Sequence, residues 1–370
     1  MKRLTLSPRA EWQRKVEEVG FLWHTADGQP YWNEAAAYEF TMAEVLRLEA
    51  ATNELQERVI EAVETIIARD WFARMGLGAQ ARQLIVDSWN REPYELSLYG
   101  RFDLLWDGTG HPKMLEYNAD TPTSLMEAAI IQWYWLQETH PGRDQFNSLH
   151  ERLIRRWKDL KHTGIDSLHL CSMDTEEDLG TLRYVGDCAA QAGIKVVQHL
   201  RMKEIGWSGQ RFVDTSDRPI RHCFKLYPWE WLLRDQYAKW VDRIRWVEPA
   251  WKMLLSNKAI LPILWELFPS HPNLLPASFE PLPGDYVAKP YLSREGANVT
   301  LRIHGQTSTT GGPYDGPLVY QKFLPPAEFE GMHPVIGSWI IGEEAGGMGI
   351  REDASLITGN LSRFVPHFIV

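Results

Sequence analysis

Residues Arg101–Leu125 read RFDLLWDGTGHPKMLEYNADTPTSL, and this stretch decides the fold. Phe102, Leu104 and Trp106 alternate with Arg101, Asp103 and Leu105, the period of a strand. Asp107-Gly108-Thr109-Gly110 is a turn signal. The return run from Met114 to Asn118 alternates again and sets Glu116 and Asn118 on one face. A plain hairpin register would put Asp103 opposite Met114 and Arg101 opposite Glu116. Arg101, Asp103, Glu116 and Asn118 then share a face. Two carboxylates and an amide carbonyl are hard oxygen donors, the set that Mg2+ takes while it also binds nucleotide phosphates. An arginine beside them points to phosphate chemistry. The competing reading is a polar, solvent-facing side of a half-exposed hairpin, and the rest of the chain must decide.

Working outward, helical and strand textures alternate. Val45, Leu46, Leu48, Leu55, Val59, Val63, Ile66 and Ile67 recur at helical spacing, so the helix is expected across Asn33–Trp71. Thr123 or Ser124 is expected to cap a helix over Met126–Leu136, and His150–Lys161 reads as a basic helix. SLHLCS at 167–172, a helix over 179–192, Gly193 and a strand from Lys195 to His199 form a βαβ unit, hence parallel sheet. The acidic run Asp174–Asp178 follows the first of these strands, at the end where α/β proteins bind ligands. A further helix is expected over 241–255, and Ser256-Asn257-Lys258 opens another. Beyond Pro281 come the strands YVAKPY and LVYQKFL and the hairpin GSWIIGEEAGGMGIRE. The fold class is α/β, or α+β.

The 370 residues carry a formal net charge of −10, with 44% hydrophobic and 24% charged residues. That balance suits a globular chain and disfavours nucleic acid, which needs a basic footprint. No apolar run reaches the roughly 18 residues of a membrane span. Cys171, Cys188 and Cys223 are widely spaced and odd in number, so neither a zinc site nor a disulfide framework is signalled and a reducing cytoplasm is expected. No P-loop, dinucleotide fingerprint, H-E-x-x-H or nucleophile elbow occurs. A nucleotide site must therefore be assembled from Lys258, Lys289, the Ser293–Asn298 loop with Glu295 and Gly296, and the strand residues Gln321, Lys322, Phe323 and Leu324. Taken singly these read as a snorkelling lysine, a turn and a strand end.

LEYNADTPTSL, with RFD ending fifteen residues before its Asn, resembles the glutathionylspermidine synthase family, as do LSNKAILPILWELFP, the KP of YVAKPYLSREGANV, YQKF and GSWIIGEEAGGMGIRED. The likeness runs from about residue 10 to 370 and is to the synthetase domain of that family and its single-domain relatives. It implies a permuted ATP-grasp fold with an inserted Rossmann-like, pre-ATP-grasp unit over 166–225 and an ATP-binding lid and strands over 256–350. It implies ATP and Mg2+, two ions, and amide-bond formation through an acyl phosphate. Carried over by motif, Asp103, Glu116 and Asn118 match the magnesium ligands. Arg101 and Arg351 match arginines that stabilise the transferring phosphoryl group. Lys258, Lys289, Gly296 and the Gln321–Leu324 strand match ATP contacts.

Thr121 and Thr123 stand where the family uses serines near its thiol tripeptide, and Glu176 and Glu177 match an acidic pair that handles the incoming substrate. No cysteine precedes residue 171, so the hydrolytic half-reaction of the bifunctional members is not expected. The serine-to-threonine changes keep the resemblance from naming the acid, a peptide or a glutathione-like molecule, or the amine. Small-molecule substrates are the expected partners, with no nucleic acid and no membrane, and the sequence leaves the oligomeric state open. A non-catalytic ATP-binding protein of the same fold and a kinase-like phosphoryl transferase are the rival readings.

Overall fold

The computed structural model describes residues 1–26 and 28–370. It is a mixed α/β fold built on three larger sheets. The central sheet is antiparallel, in the order Arg363–Val365, Glu344–Asp353, His333–Ile341, Tyr99–Leu105, Lys113–Asn118. A second antiparallel sheet runs Ala277–Ser278, Leu318–Lys322, Tyr286–Pro290, Thr300–Ile303, Gln306–Thr309. We call it the lid sheet. The third is wholly parallel, in the order Arg245–Val247, His222–Leu226, Ser167–Ser172, Lys195–Arg201.

One long helix, Met42–Ala68, backs the central sheet. Its start is a capping box: the Thr41 hydroxyl accepts from the Glu44 amide, and the Glu44 carboxylate accepts from the Thr41 amide. Val45, Leu48, Leu55, Val59, Val63 and Ile66 form its buried stripe, as the periodicity implied, whereas Leu46 is exposed and Ile67 only half-buried. Two polar contacts fix its placement, Thr52 Oγ1 to Ser338 Oγ at 2.6 Å and Tyr117 OH donating to Gln56 Oε1 at 3.0 Å. The N-terminal bound was wrong, because Ala36–Phe40 is a strand. It lies between Lys2–Thr5 and the C-terminal His367–Ile369, so its pairing depends on partners far away in sequence.

Three other expectations are corrected. Residues 241–255 are not one helix: a 3-10 turn at Ala238–Arg243 leads into the strand Arg245–Val247, then short turns to Ser256. That strand adds an edge to the parallel sheet, and tertiary pairing overrides its local pattern. Neither Thr123 nor Ser124 caps the next helix with its side chain; Ser124 sits at φ 65° and its hydroxyl bonds Tyr31 OH at 3.0 Å. The segment Glu127–Ile131 is a π-helix that passes into the α-helix Gln132–Thr139. Finally, the helix of the βαβ unit begins at Glu176, earlier than residue 179, with Thr175 as its N-cap.

The parallel sheet is fastened to the central sheet through a buried ion pair. Asp120, two residues past the hairpin strand, pairs with Lys225 and accepts the Trp229 amide at 2.9 Å. Lys225 is fully buried, so its charge must be compensated there. No helix among the described residues is long and apolar enough to cross a membrane. Cys171, Cys188 and Cys223 are buried and free.

His367 ties the C-terminal strand to the core. Its Nε2 accepts from the Phe146 amide at 3.1 Å and its Nδ1 faces Gln132 Oε1 at 2.9 Å, the pattern of a neutral ring. Burial pushes its pKa down to about 3. The unfolded histidine titrates near about 6.5, so below that pH the unfolded state binds the extra proton. Stability should be unaffected by this group above pH 6.5. It should fall as pH drops toward 3, at up to about 1.4 kcal/mol per pH unit. Urea unfolding across this window should give a slope about one proton steeper for the native chain than for His367→Gln.

Candidate functional site

The edge hairpin of the central sheet does not take the plain register. Arg101 lies opposite Asn118 and Asp103 opposite Glu116, and then the ladder slips, with Leu104 opposite Met114. Leu115 is the extra residue of a β-bulge. The slip leaves Arg101, Asp103, Glu116 and Asn118 on one face, as expected, but pairs them differently. It also re-aims the backbone. Leu115 O accepts from Lys289 Nζ at 3.0 Å, and the neighbouring Met114 O accepts from Gln321 Nε2 at 3.0 Å. The lid sheet thus docks on the hairpin through two side chains that also meet each other, Lys289 Nζ to Gln321 Oε1 at 2.8 Å.

The acidic face is dense with paired charge. Arg101 grips Asp103 with two hydrogen bonds, 2.6 and 3.0 Å, and reaches Thr123 O at 2.6 Å. Gly337, opposite Asp103 on the next strand, makes room for this: a Cβ there would sit 2.8 Å from Arg101 Cδ. Glu116 Oε2 lies 3.0 Å from Lys258 Nζ, which also donates to Ser293 O. Burial opposes the Glu116 charge, but Lys258 and Lys289 outweigh it and hold its pKa down at about 2. Lys289 moves the other way: desolvation dominates and lowers it to about 8, with Glu116 resisting. Asn118 Nδ2 bonds Glu116 Oε1 at 3.1 Å and approaches Asp103 Oδ2 at 3.4 Å.

Between the lid sheet and the central sheet lies a cleft with about 980 Å3 of empty space including its mouth. All eight residues expected to hold nucleotide line it: Lys258, Lys289, Glu295, Gly296, Gln321, Lys322, Phe323 and Leu324. Asp103, Glu116 and Arg351 line it too. A smaller adjoining pocket, about 250 Å3 of empty space including its mouth and tight enough inside for about one water, is lined by Arg101, Asp103, Ser124 and Arg351. Apolar walls with a few convergent charges are the usual make-up of a small-molecule site. At the end of the Leu318–Lys322 strand the Phe323 amide donates to Asp285 O at 3.1 Å, while the Leu324 amide is in no backbone hydrogen bond among the described residues. Lys258 stands just ahead of the helix Ile260–Leu267; its own amide is taken by Tyr291 O at 2.9 Å, and Asn257 Oδ1 accepts the Ala259 amide.

The Ser293–Asn298 loop packs over this cleft. Glu295, Gly296 and Asn298 have φ of 53°, 67° and 54°. A Cβ on Gly296 would lie 2.6 Å from Thr358 O, so the loop rests on Ser355–Gly359, a segment with no obvious signature in the sequence. Arg294 binds Glu230 at 2.5 Å, beside the parallel sheet.

The substrate-side expectations separate. Thr121 and Thr123 lie in the loop after the hairpin, outside the lining of the cleft. Glu176 is exposed at the helix start, but Glu177 is half-buried. Desolvation first, and then Glu127, Asp178 and Glu295, push the Glu177 carboxyl up to about 8, against the pull of Arg351. Glu127 was missed. Its signal was a charged residue inside the apolar run Leu125–Ile131, a pattern that calls for a partner.

Among the described residues no cluster of three or more His, Cys, Asp or Glu could hold a metal. The donor set here is two carboxylates and one amide, too few for an all-protein cage and suited to an ion that brings phosphate or water ligands of its own. Such an ion needs the Asn118 amide turned so that its oxygen, not its NH2, faces the carboxylates.

The family model described as glutathionylspermidine synthase, pre-ATP-grasp, matches residues 3–370. A Haemophilus influenzae protein with the provisional name acid–amine ligase is 44% identical over the full length of both chains. Trypanothione synthetase of Crithidia fasciculata is 28% identical over 86% of this chain and 54% of its own length. The bifunctional glutathionylspermidine synthetase/amidase of Escherichia coli is 26% identical over 97% of this chain and 64% of its own. A Methylobacillus flagellatus structure, provisionally named a gamma-glutamylcysteine synthetase, aligns at 9% identity with a TM-score of 0.45 over 86% of each chain.

The loop packing is testable. Gly296→Val adds a branched side chain where φ is positive and Thr358 O is 2.6 Å from the Cβ position. The loop must lift, and trypsin should cleave after Arg294 faster than in the native chain. Equal cleavage rates would mean that Ser355–Gly359 does not hold the loop.

Proposed function

The chain belongs to the glutathionylspermidine synthase family, and from that premise we propose that it is an ATP- and Mg2+-dependent carboxylate–amine ligase, ADP-forming, working through an acyl phosphate. The observation that supports this best is the convergence of Asp103, Glu116, Lys258, Lys289 and Arg351 on one cleft between two antiparallel sheets.

A free carboxylate resists amines because oxide is a poor leaving group; phosphorylation supplies a good one. In this reading Asp103, Glu116 and Asn118 hold Mg2+. A divalent ion held by these three residues would supply positive charge against the nucleotide phosphates. Lys258 and Lys289 steady the α- and β-phosphates, and the Gln321–Leu324 strand takes the adenine edge. Arg101 and Arg351, at the junction of the cleft and the smaller cavity, stabilise charge that develops on the transferring phosphoryl oxygens. The Ser293–Asn298 loop keeps water from the acyl phosphate. Glu177, and Glu176 at the helix start, draw the cationic amine in. The parallel-sheet unit forms the acid and amine side, and the lid sheet the nucleotide side.

ADP and phosphate should appear only when an acid and an amine are both present, with a condensed product in the mass spectrum. Phosphate left on a single acceptor would mean a kinase, and neither product a binder. Asp103→Ala and Glu116→Ala should each cut turnover by about two orders of magnitude or more. Full activity in both, with Mg2+ still required, would remove these residues as ligands. Glu177→Gln should raise KM for the amine and leave KM for ATP within about twofold. Unchanged constants with a small loss of stability would reduce Glu177 to a helix-start acid.

A further inference from the structure

We infer that Glu127, together with Glu177 and the Tyr31 hydroxyl, forms the seat of a primary ammonium group, that of the amine substrate. The inference rests on the ligase reading above and adds to it a residue that neither the sequence motifs nor the family likeness supplied.

The Glu127 side chain is fully buried. Its Oε1 accepts from Trp23 Nε1 at 2.9 Å. Its Oε2 is equally enclosed and has no hydrogen-bond partner among the described residues. A buried carboxylate oxygen left without a donor is costly and rare, and it calls for an explanation from outside the protein. Glu127 also opens the π-helix Glu127–Ile131. Single π-turns are uncommon and gather at functional sites, because the extra residue displaces a side chain from the regular helical face.

The surroundings are unusual for a merely structural acid. Burial first of all resists ionisation of both acids; Glu127 adds to the effect on Glu177, Tyr31 feels both, and Trp23, the Tyr31 hydroxyl and Arg101 ease the charge on Glu127. Neither carboxylate is in an ion pair among the described residues. Of the nearby arginines, Arg101 is held by both oxygens of Asp103, while Arg351 bonds Gly359 O at 3.5 Å and eases the charge on Glu177 without pairing with it. Two acids drawn from different elements into one desolvated spot, with no ion-pair partner among the described residues, repel unless a further cation arrives. The structure also holds them there. Trp23, which binds Glu127, packs on Gly180 of the Glu177 helix so closely that a Cβ on Gly180 would lie 2.1 Å from the indole.

The chemistry selects an ammonium. A primary ammonium carries three donors. Glu127 Oε2, the Glu177 carboxylate and the Tyr31 oxygen are three acceptors. Glu176, exposed at the helix start, steers the amine from solvent, and Glu127 is the second acid of the seat itself. The location fits the reaction. Ser124, bonded to Tyr31, lines the small cavity with Arg101 and Arg351, so an amine on Glu127 stands beside the proposed phosphoryl-transfer end of the cleft.

The test is calorimetric titration of the full chain with ethylamine, 1,3-diaminopropane and spermidine, with tetramethylammonium and Mg2+ as controls. Binding of at least one primary amine and not of tetramethylammonium is expected, and any Mg2+ binding should be the same in the native chain and in Glu127→Gln. Glu127→Gln keeps the shape and removes the charge, and should weaken that amine about thirtyfold or more, as for one lost partner of a buried charge pair. Its melting temperature should stay near that of the native chain. Glu177→Gln should weaken the same amine, and the double variant should lose less than the sum, as for one shared site. Tyr31→Phe, which removes only a hydroxyl, should weaken it by a smaller factor and serves if Glu127→Gln fails to fold. Equal amine affinity in the native chain and Glu127→Gln, or in Tyr31→Phe where that variant stands in, overturns the inference. So does a native chain that binds no primary amine, or binds Mg2+ at this site instead. Amine binding that needs Glu127, in a chain that never forms a condensed product, upholds this site and overturns the ligase reading.

Discussion

Glu116 is the constraint on which the rest depends. A carboxylate in this position, walled by two sheets, would lose its charge if left alone. It keeps it because Lys258 reaches it from ahead of the helix Ile260–Leu267 and Lys289 approaches from the middle of a lid strand. Each lysine is in turn tied by backbone carbonyls, Ser293 O and Leu115 O. Three elements distant in sequence are therefore held by one charge cluster. The same cluster sets the polarity of the cleft, with cations toward the lid and carboxylates toward the central sheet.

Much of this was legible because it is local. Alternation in Arg101–Trp106 and Met114–Asn118, the apolar SLHLCS, and the strand texture of YVAKP each report the face a residue takes from its neighbours alone. What failed was what depends on distant partners. Ala36–Phe40 is a strand because Lys2–Thr5 and His367–Ile369 flank it, and its alanines read locally as helix. Arg245–Val247 is a strand because His222–Leu226 offers an edge. The hairpin bulge is of the same kind. A four-residue turn suggested plain register, but Leu115 is displaced where its carbonyl meets Lys289, a contact between sheets that no local pattern encodes.

Site residues follow the same division. Long motifs carried Lys258, Lys289, Gln321 and Arg351 to the cleft although they come from separate elements. Glu176 and Glu177 are adjacent in sequence, yet the helix that starts there turns one outward and the other inward. Neighbouring positions on a helix are about 100° apart, so a pair of adjacent acids seldom acts as a pair. The partner of Glu177 came instead from Glu127, about fifty residues earlier, where one charge in an apolar run was the visible clue.

The Asp120–Lys225 pair has a mechanical meaning. Asp120 lies two residues beyond Asn118 and is locked to both Lys225 and the Trp229 amide. The acidic hairpin and the parallel sheet are thus parts of one rigid frame. Relative displacement between them would strand a fully buried ammonium, a cost far above thermal energy. Hinge freedom is left to the lid sheet, which touches that frame through the Lys289 and Gln321 contacts and the Arg294–Glu230 pair. In the proposed ligase, discrimination between acids and amines then belongs to a prearranged cavity whose ordering entropy was spent during folding, not at each encounter. Under the same proposal, nucleotide exchange is the part of the cycle that requires the molecule to open.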